Sequence, residues 1–336
     1  MKRLLLIDGN SLFHRAYHAL PPITDKSGEV ANAVFGFSNM LIKATNEIKP
    51  THVVCAFDTS APTFRHIEFE KYKATRPAPP PDLYPQLPKV KKVLDAFGIV
   101  YFEKEGYEAD DILATLAKKF QISNFKFQII ILSGDRDCLQ LVDGNVKVQM
   151  PSFTKVSEGK PRWGVLVGAK EVREKYGLEP HQMVDYKSLV GDPSDNVPGI
   201  SGIGPKTAAI LLQKYRTLEN LFAHIGETPE PLRSKLEAGR DVALAAKRLV
   251  ELDRNVDIEF RVKSLEFRPD WNQVRREYEE LGFKSIVAKL PGAEYTSEVG
   301  FDSSEVKTKK KQKVSPILPA GNREHKTESK NQLELI

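Results

Sequence analysis

Five short stretches of the chain are strongly apolar: residues 4–7, 52–57, 99–102, 127–132 and 146–150. Their length and the turn residues that bound them predict buried β-strands. Between them, apolar positions recur every three to four residues, which predicts helices over 11–20, 32–48 and 89–97 and from about 109 onward. Pro21-Pro22 and Lys49-Pro50 stop the first two. Further helical patterns cover 239–252 and 272–281. Apolar strands alternating with helices imply an α/β fold with a mostly parallel sheet flanked by helices on both faces.

The polar residues at the strand ends add chemistry to this frame. Asp8, Asp58 and Asp135 each lie at or just past the carboxyl end of an apolar strand, the edge where open α/β sheets form their sites. One such Asp is ordinary turn chemistry; three are harder to assign to turns. The third strand, at 99–102, leads into Gly106-Tyr107-Glu108-Ala109-Asp110-Asp111, three carboxylates at the start of an amphipathic helix. Acids there stabilise a helix through its dipole by a few tenths to about 1 kcal/mol, but that effect does not account for the strand-end acids. Two carboxylates held about 4 Å apart repel by roughly 1 kcal/mol in water and several-fold more near a protein surface. Such a cluster must hold protons at raised pKa or bind cations. Hard divalent ions with oxygen ligands, Mg²⁺ or Mn²⁺, fit an all-carboxylate set.

Two other segments stand out. Residues 63–88 interleave Arg65, Lys71, Tyr72, Lys73 and Arg76 and then become proline-rich. A solvated helix with a stiff linker and a lid whose cations grip phosphate while its rings stack on bases both fit. Residues 186–215 contain Gly191-Asp192-Pro193-Ser194-Asp195 and then Gly202-Ile203-Gly204-Pro205-Lys206. A glycine-rich turn entering a helix with proline at its first position exposes backbone N–H groups to an anion, and Lys206 adds a charge. The segment resembles a helix-hairpin-helix that holds one DNA backbone without reading sequence; a tight helix connection is the plainer alternative. From about residue 291 to 336 the chain is rich in Ser, Lys and Glu and reads as a disordered tail or linker.

Composition changes the picture little. The 336 residues are 40% hydrophobic and 28% charged with a net charge of +5, enough for a sizeable core and only weakly suggestive of nucleic acid. Cys55 and Cys138 make neither a disulfide framework nor a zinc spacing, consistent with reduced core thiols in a cytoplasmic protein. No apolar run is long enough for a signal peptide or a membrane span.

Taken together, Asp8-Gly9-Asn10-Ser11, Ala56-Phe57-Asp58, Thr63-Phe64-Arg65, residues 71–77, Gly106–Asp111, Ser133-Gly134-Asp135-Arg136-Asp137 and residues 191–199 stand in order. Over roughly residues 1–290 they resemble the 5′ nuclease (5′→3′ exonuclease) domain found at the N-terminus of bacterial DNA polymerase I, kin to flap endonucleases. The resemblance implies a PIN-like 5′ nuclease core over 1–180 with a helical arch at about 63–88. It also implies a helix-hairpin-helix module with closing helices over 181–290. Two Mg²⁺ (or Mn²⁺) ions are implied: Asp8, Asp58, Glu108 and Asp110 around the first, and Asp135, Asp137, Asp192 and Asp195 around the second, with Asp111 also in the motif. Lys73 and Arg76 would face the scissile phosphate. Arg15, Tyr17, Arg65, Tyr72, Gly202, Gly204 and Lys206 would contact DNA, with a potassium ion at the hairpin. The partner would be flapped, nicked or branched duplex DNA, and the chain would be a stand-alone nuclease or one fused or coupled to a polymerase. A PIN-type ribonuclease and a non-catalytic DNA-binding module are the alternatives. The hairpin argues against the first and the full set of acids against the second.

Overall fold

In the computed structural model, which describes residues 1–123, 126–151 and 164–292, the apolar stretches become strands with little drift. They are β1 (Lys2–Asp8), β2 (His52–Phe57), β3 (Val100–Glu103), β4 (Phe127–Leu132) and β5 (Val146–Met150); a short β6 (Val165–Val167) was not anticipated. The order is β3-β2-β1-β4-β5-β6, with the first five parallel and β6 antiparallel to β5. The helices are α1 (Gly9–Ala19), α2 (Asn32–Ile48), α3 (Phe64–Glu68), α4 (Leu87–Ala96), α5 (Ala109–Gln121), α6 (Ala169–Tyr176), α7 (Met183–Val190), α8 (Pro205–Tyr215), α9 (Leu218–Ala223), α10 (Leu232–Ala238), α11 (Arg240–Val250), α12 (Trp271–Glu280) and α13 (Lys284–Val287).

The period-2 alternation of the strands splits the core in two. Leu5, Ile7, Val53 and Cys55 face the layer that holds α1, α2 and α4, whereas Leu4, Leu6, Val54 and Ala56 face α5 through Ile112, Leu113 and Leu116. Because β1 sits in the middle and is flanked by β2 and β4, the strand order reverses beside it. That reversal opens a crevice at the carboxyl edge, where Asp8, Asp58 and the 133–135 turn lie. Gly9 is required there: a Cβ would sit 2.4 Å from the Phe57 ring and 2.7 Å from the Ala56 carbonyl.

The remaining helices pack around a smaller core of Leu189, Ile200, Ile203, Ala208, Leu211, Leu212 and Leu236. α7 and α8 are the arms of the expected hairpin, with Gly204 as N-cap and Pro205 as first residue of α8. The chain then runs back to the first half: Phe267 N–H donates to the Thr51 carbonyl, and Val274, Tyr278, Phe283 and Ile286 complete the core under α2 and α4. The described residues, up to 292, pack as one compact unit; the expected tail lies, from residue 293 on, outside the described residues.

One expectation needs correction. The basic-aromatic stretch is not a long helix. α3 ends at Glu68, Lys73 has a left-handed φ of 55°, and turns close between Phe69 and Tyr72 and between Lys73 and Arg76. Lys73 and Arg76 therefore do not share a helical face. The physical reason is docking: Lys73 N–H donates to the Asp195 carbonyl and Asn196 Nδ2 to the Lys71 carbonyl. These bonds pull the segment onto the 192–197 turn.

Candidate active site

Each acid at the sheet edge is fixed by the element that carries it. Asp8 caps α1, accepting from Ser11 N–H at 2.9 Å and from the Ser133 hydroxyl at 2.5 Å. Asp58, one residue past β2, accepts from Ala109 N–H at 2.7 Å and from Asn10 Nδ2 at 2.9 Å. Asp110 lies in the first turn of α5, where the Cys138 thiol donates to it at 3.4 Å. Asp135 accepts from Asp137 N–H at 2.8 Å.

These four are desolvated together. Burial pushes Asp8 up to about 7, with Asp58 and Asp135 adding to the rise against the hydrogen bonds from Ser133 and Ser11. Burial also raises Asp58, Asp110 and Asp135; for Asp110, burial first and then repulsion from Asp8, Asp135, Asp58 and Glu108 lift it well above the usual carboxylate range. All four line one cavity of about 730 Å³, which His14, Arg15, Lys73, Arg76 and Tyr84 also line.

The other acids are compensated. Lys187, on α7, places its ammonium against both Asp137 and Asp192, at 2.6 Å from the latter. Burial would raise Asp192, but Lys187 and the Ser194 donors hold it below its ordinary value. The Lys73 ammonium lies 2.5 Å from Glu108 and 3.9 Å from Asp195, and Arg76 lies 2.5 Å from Asp195. Among the described residues, no three acidic or imidazole groups close on a single point.

Known proteins can now be set beside this geometry. Residues 3–177 match the model of the 5′-3′ exonuclease N-terminal resolvase-like domain, and residues 178–273 that of the 5′-3′ exonuclease C-terminal SAM fold. The chain belongs to the 5′-3′ exonuclease family. It is 41% identical over 293 residues to DNA polymerase I of Caldicellulosiruptor bescii, a match covering 86% of this chain and 33% of that protein. It is 39% identical over 296 residues to a 5′-3′ exonuclease of Aquifex aeolicus, covering 86% of this chain and 96% of that one. The chain thus spans about a third of the polymerase relatives and nearly all of the exonuclease. The fold is shared with the zinc-bound T5 5′-exonuclease (TM-score 0.60, 18% identity, 85% of this chain and 100% of that one). It is shared too with the catalytic core of Rad2 (TM-score 0.53, 16% identity, 84% and 88%). As a member of this exonuclease family, the protein is a nuclease.

Several residues expected at the exonuclease site lie elsewhere. Asp111 is fully buried, and both its oxygens accept from Arg65 at 2.7 Å. It also accepts from Glu108 N–H and Asp253 N–H, so no lone pair points into the cavity. Arg65, expected on DNA, is 1% exposed and also donates to the Leu249 and Glu251 carbonyls. Tyr72, expected to stack on bases, is buried with its hydroxyl on Glu108 and Asp195, and burial beside those carboxylates raises its pKa. The Tyr17 hydroxyl donates to Asp82 at 2.6 Å. Arg15 lines the cavity, while Gly202, Gly204 and Lys206 are exposed at the hairpin, where Lys235 of α10 lies against Gly202. Sequence reasoning missed Asn10, Ser133, Cys138 and Lys187. Lys187 had a signal, standing five residues before Asp192; the others show their role only once the strands are aligned.

Proposed function

We propose that this chain is a divalent-metal-dependent 5′→3′ exonuclease and structure-specific flap endonuclease. Its substrate would be flapped, nicked or branched duplex DNA, cut without sequence preference, in replication and repair. The observation that carries this reading is the meeting of Asp8, Asp58, Asp110 and Asp135, desolvated and short of counter-charge, in one cavity with Lys73 and Arg76. The donor set is all oxygen, as Mg²⁺ or Mn²⁺ requires. The Lys187 ammonium between Asp137 and Asp192 is in keeping with a cationic partner for that neighbouring pair.

Asp8, Asp58, Glu108 and Asp110 would hold one ion, and Asp135, Asp137, Asp192 and Asp195 a second. Bound ions would supply an activated water and neutralise charge on the phosphate. The protein's own groups do the rest. Lys73 and Arg76 sit on turns and line the cavity, their charges set against Glu108 and Asp195, so an entering phosphate would offer them a further anionic partner where charge develops. The exposed N-terminus of α8, with Lys206, would hold the duplex backbone, with a potassium ion at the turn. A cytoplasmic, nucleoid-associated role coupled to a polymerase fits the company its relatives keep.

The test is a 5′-labelled double-flap duplex incubated with and without Mg²⁺, with product length mapped. Products released from the 5′ end or cut at the flap junction only with Mg²⁺ are expected; metal-independent cutting, or none, sinks the proposal.

A further inference from the structure

Asp58 differs from Asp8 and Asp110 in having no helix of its own to hold it. Asp8 caps a helix and Asp110 lies within one, but Asp58 follows the last residue of β2. What holds it is a side chain from another element. Asn10, the second residue of α1, donates from Nδ2 to Asp58 Oδ2 at 2.9 Å and accepts on Oδ1 from Asp58 N–H at 3.1 Å. The amide thus grips the carboxylate and the backbone of one residue at once. With Ala109 N–H on Oδ1 at 2.7 Å, each Asp58 oxygen has one donor and one side open to the cavity, which Asn10 also lines. Only a side chain with a donor and an acceptor side by side can do this.

We infer that Asn10 is a positioning residue: it locks the Asp58 rotamer and thereby sets the affinity of the sheet edge for a divalent cation. This rests on the divalent-metal reading above. A carboxylate released from its clamp regains up to three staggered wells, so pre-organisation worth about 3-fold is lost, and about 10-fold if the freed group also turns toward solvent.

The experiment compares wild type with Asn10→Ala, using Mn²⁺ alone as the probe in titration calorimetry and Mg²⁺ in single-turnover cleavage. The expected result is a ~3–10-fold weaker Mn²⁺ affinity. The half-saturating Mg²⁺ rises in step, cleavage is largely restored at saturating Mg²⁺, and Tm and duplex binding in EDTA do not change. Unchanged Mn²⁺ affinity in the variant overturns the inference, whether Tm falls (a merely structural amide) or duplex binding weakens (a DNA contact). If Asn10→Ala does not fold, Asn10→Ser, which can satisfy one of the two partners, carries the same comparison with about a 2–3-fold shift. Failure of wild type itself to bind Mn²⁺ would overturn the metal reading as well, which separates the two failures.

Discussion

The two groups of acids around the cavity differ in what brings them together. Asp8, Asp58 and Asp135 are set by strand register and Asp110 by a helix start, so the backbone forces them close. The result is desolvated carboxylates with raised pKa. Asp137, Asp192, Asp195 and Glu108 instead lie against protein cations, Lys187, Lys73 and Arg76, which balance their charge. The first group stores repulsion that an added cation relieves. The second is already relieved, and an added cation must compete. Metal affinity and fold stability therefore oppose each other at the sheet edge and are decoupled at the lysines.

The largest expected effect tests the stored repulsion. Asp135→Asn should lower cleavage by roughly 10³-fold or more while raising Tm in EDTA, since it removes a repelling charge and no fold element. Near wild-type cleavage in Mg²⁺, or a lower Tm, would break the contrast. Lys73→Ala and Arg76→Ala should each slow single-turnover cleavage by about 10²–10³-fold if their contacts strengthen as charge develops. Rates within a few-fold of wild type at saturating enzyme would return this stretch to the surface.

A pH series sharpens the comparison. The sheet-edge acids have folded pKa values above their unfolded values, so the folded chain holds more protons than the unfolded one. Metal-free stability should therefore fall as pH rises from about 4 to about 7, the interval between the ordinary Asp value of 3.8 and the raised Asp8. Asp192, shifted down, works the other way but over a lower range. Adding Mg²⁺ should recover Tm at pH 8 and much less at pH 5, because an ion that binds only the folded chain stabilises it by mass action. Thermal melts at the two pH values, with and without EDTA, settle the sign. The smallest effect lies farthest from both groups: Lys206→Ala should weaken binding to all duplex sequences alike and reduce the salt slope by about one phosphate contact. A sequence-dependent loss, or an unchanged slope, would remove the hairpin from the binding surface.

The sheet was legible because its strands are apolar on both faces, and two sheet faces permit no other burial. The strand-end acids were legible for the same reason: once the strand ends are known, so is the edge where the acids gather. What was hidden depends on partners distant in sequence. The stretch that carries Lys73 and Arg76 reads as a solvated helix or a helical arch, yet the Asp195 carbonyl, more than a hundred residues on, captures Lys73 N–H, and α3 ends at Glu68. Asp111 stood in an acidic triplet indistinguishable from its neighbours. Only the arrival of Arg65 from α3 turns it inward, and a basic residue beside aromatics gives no sign that it will be buried. Asn10 gives no sign of its role because its partner lies 48 residues away.

The Arg65–Asp111 pair also governs how the molecule can be cut. The Arg65 guanidinium is finished by the carbonyls of Leu249 and Glu251, and Asp111 by Asp253 N–H. The start of β2 is tied to the returning segment, His52 bridging Glu266 and the Thr51 carbonyl accepting from Phe267 N–H. The two family models meet at residues 177 and 178, yet a fragment ending there would strand a buried charge pair without its capping groups and uncover the core under α2. Leaving buried charged groups short of hydrogen-bond partners costs about 1–3 kcal/mol or more for each group, an appreciable share of a typical domain's stability. The junction visible in the one-dimensional record is therefore not a seam in the folded object: the part that holds the acids is closed by residues about seventy or more positions beyond it.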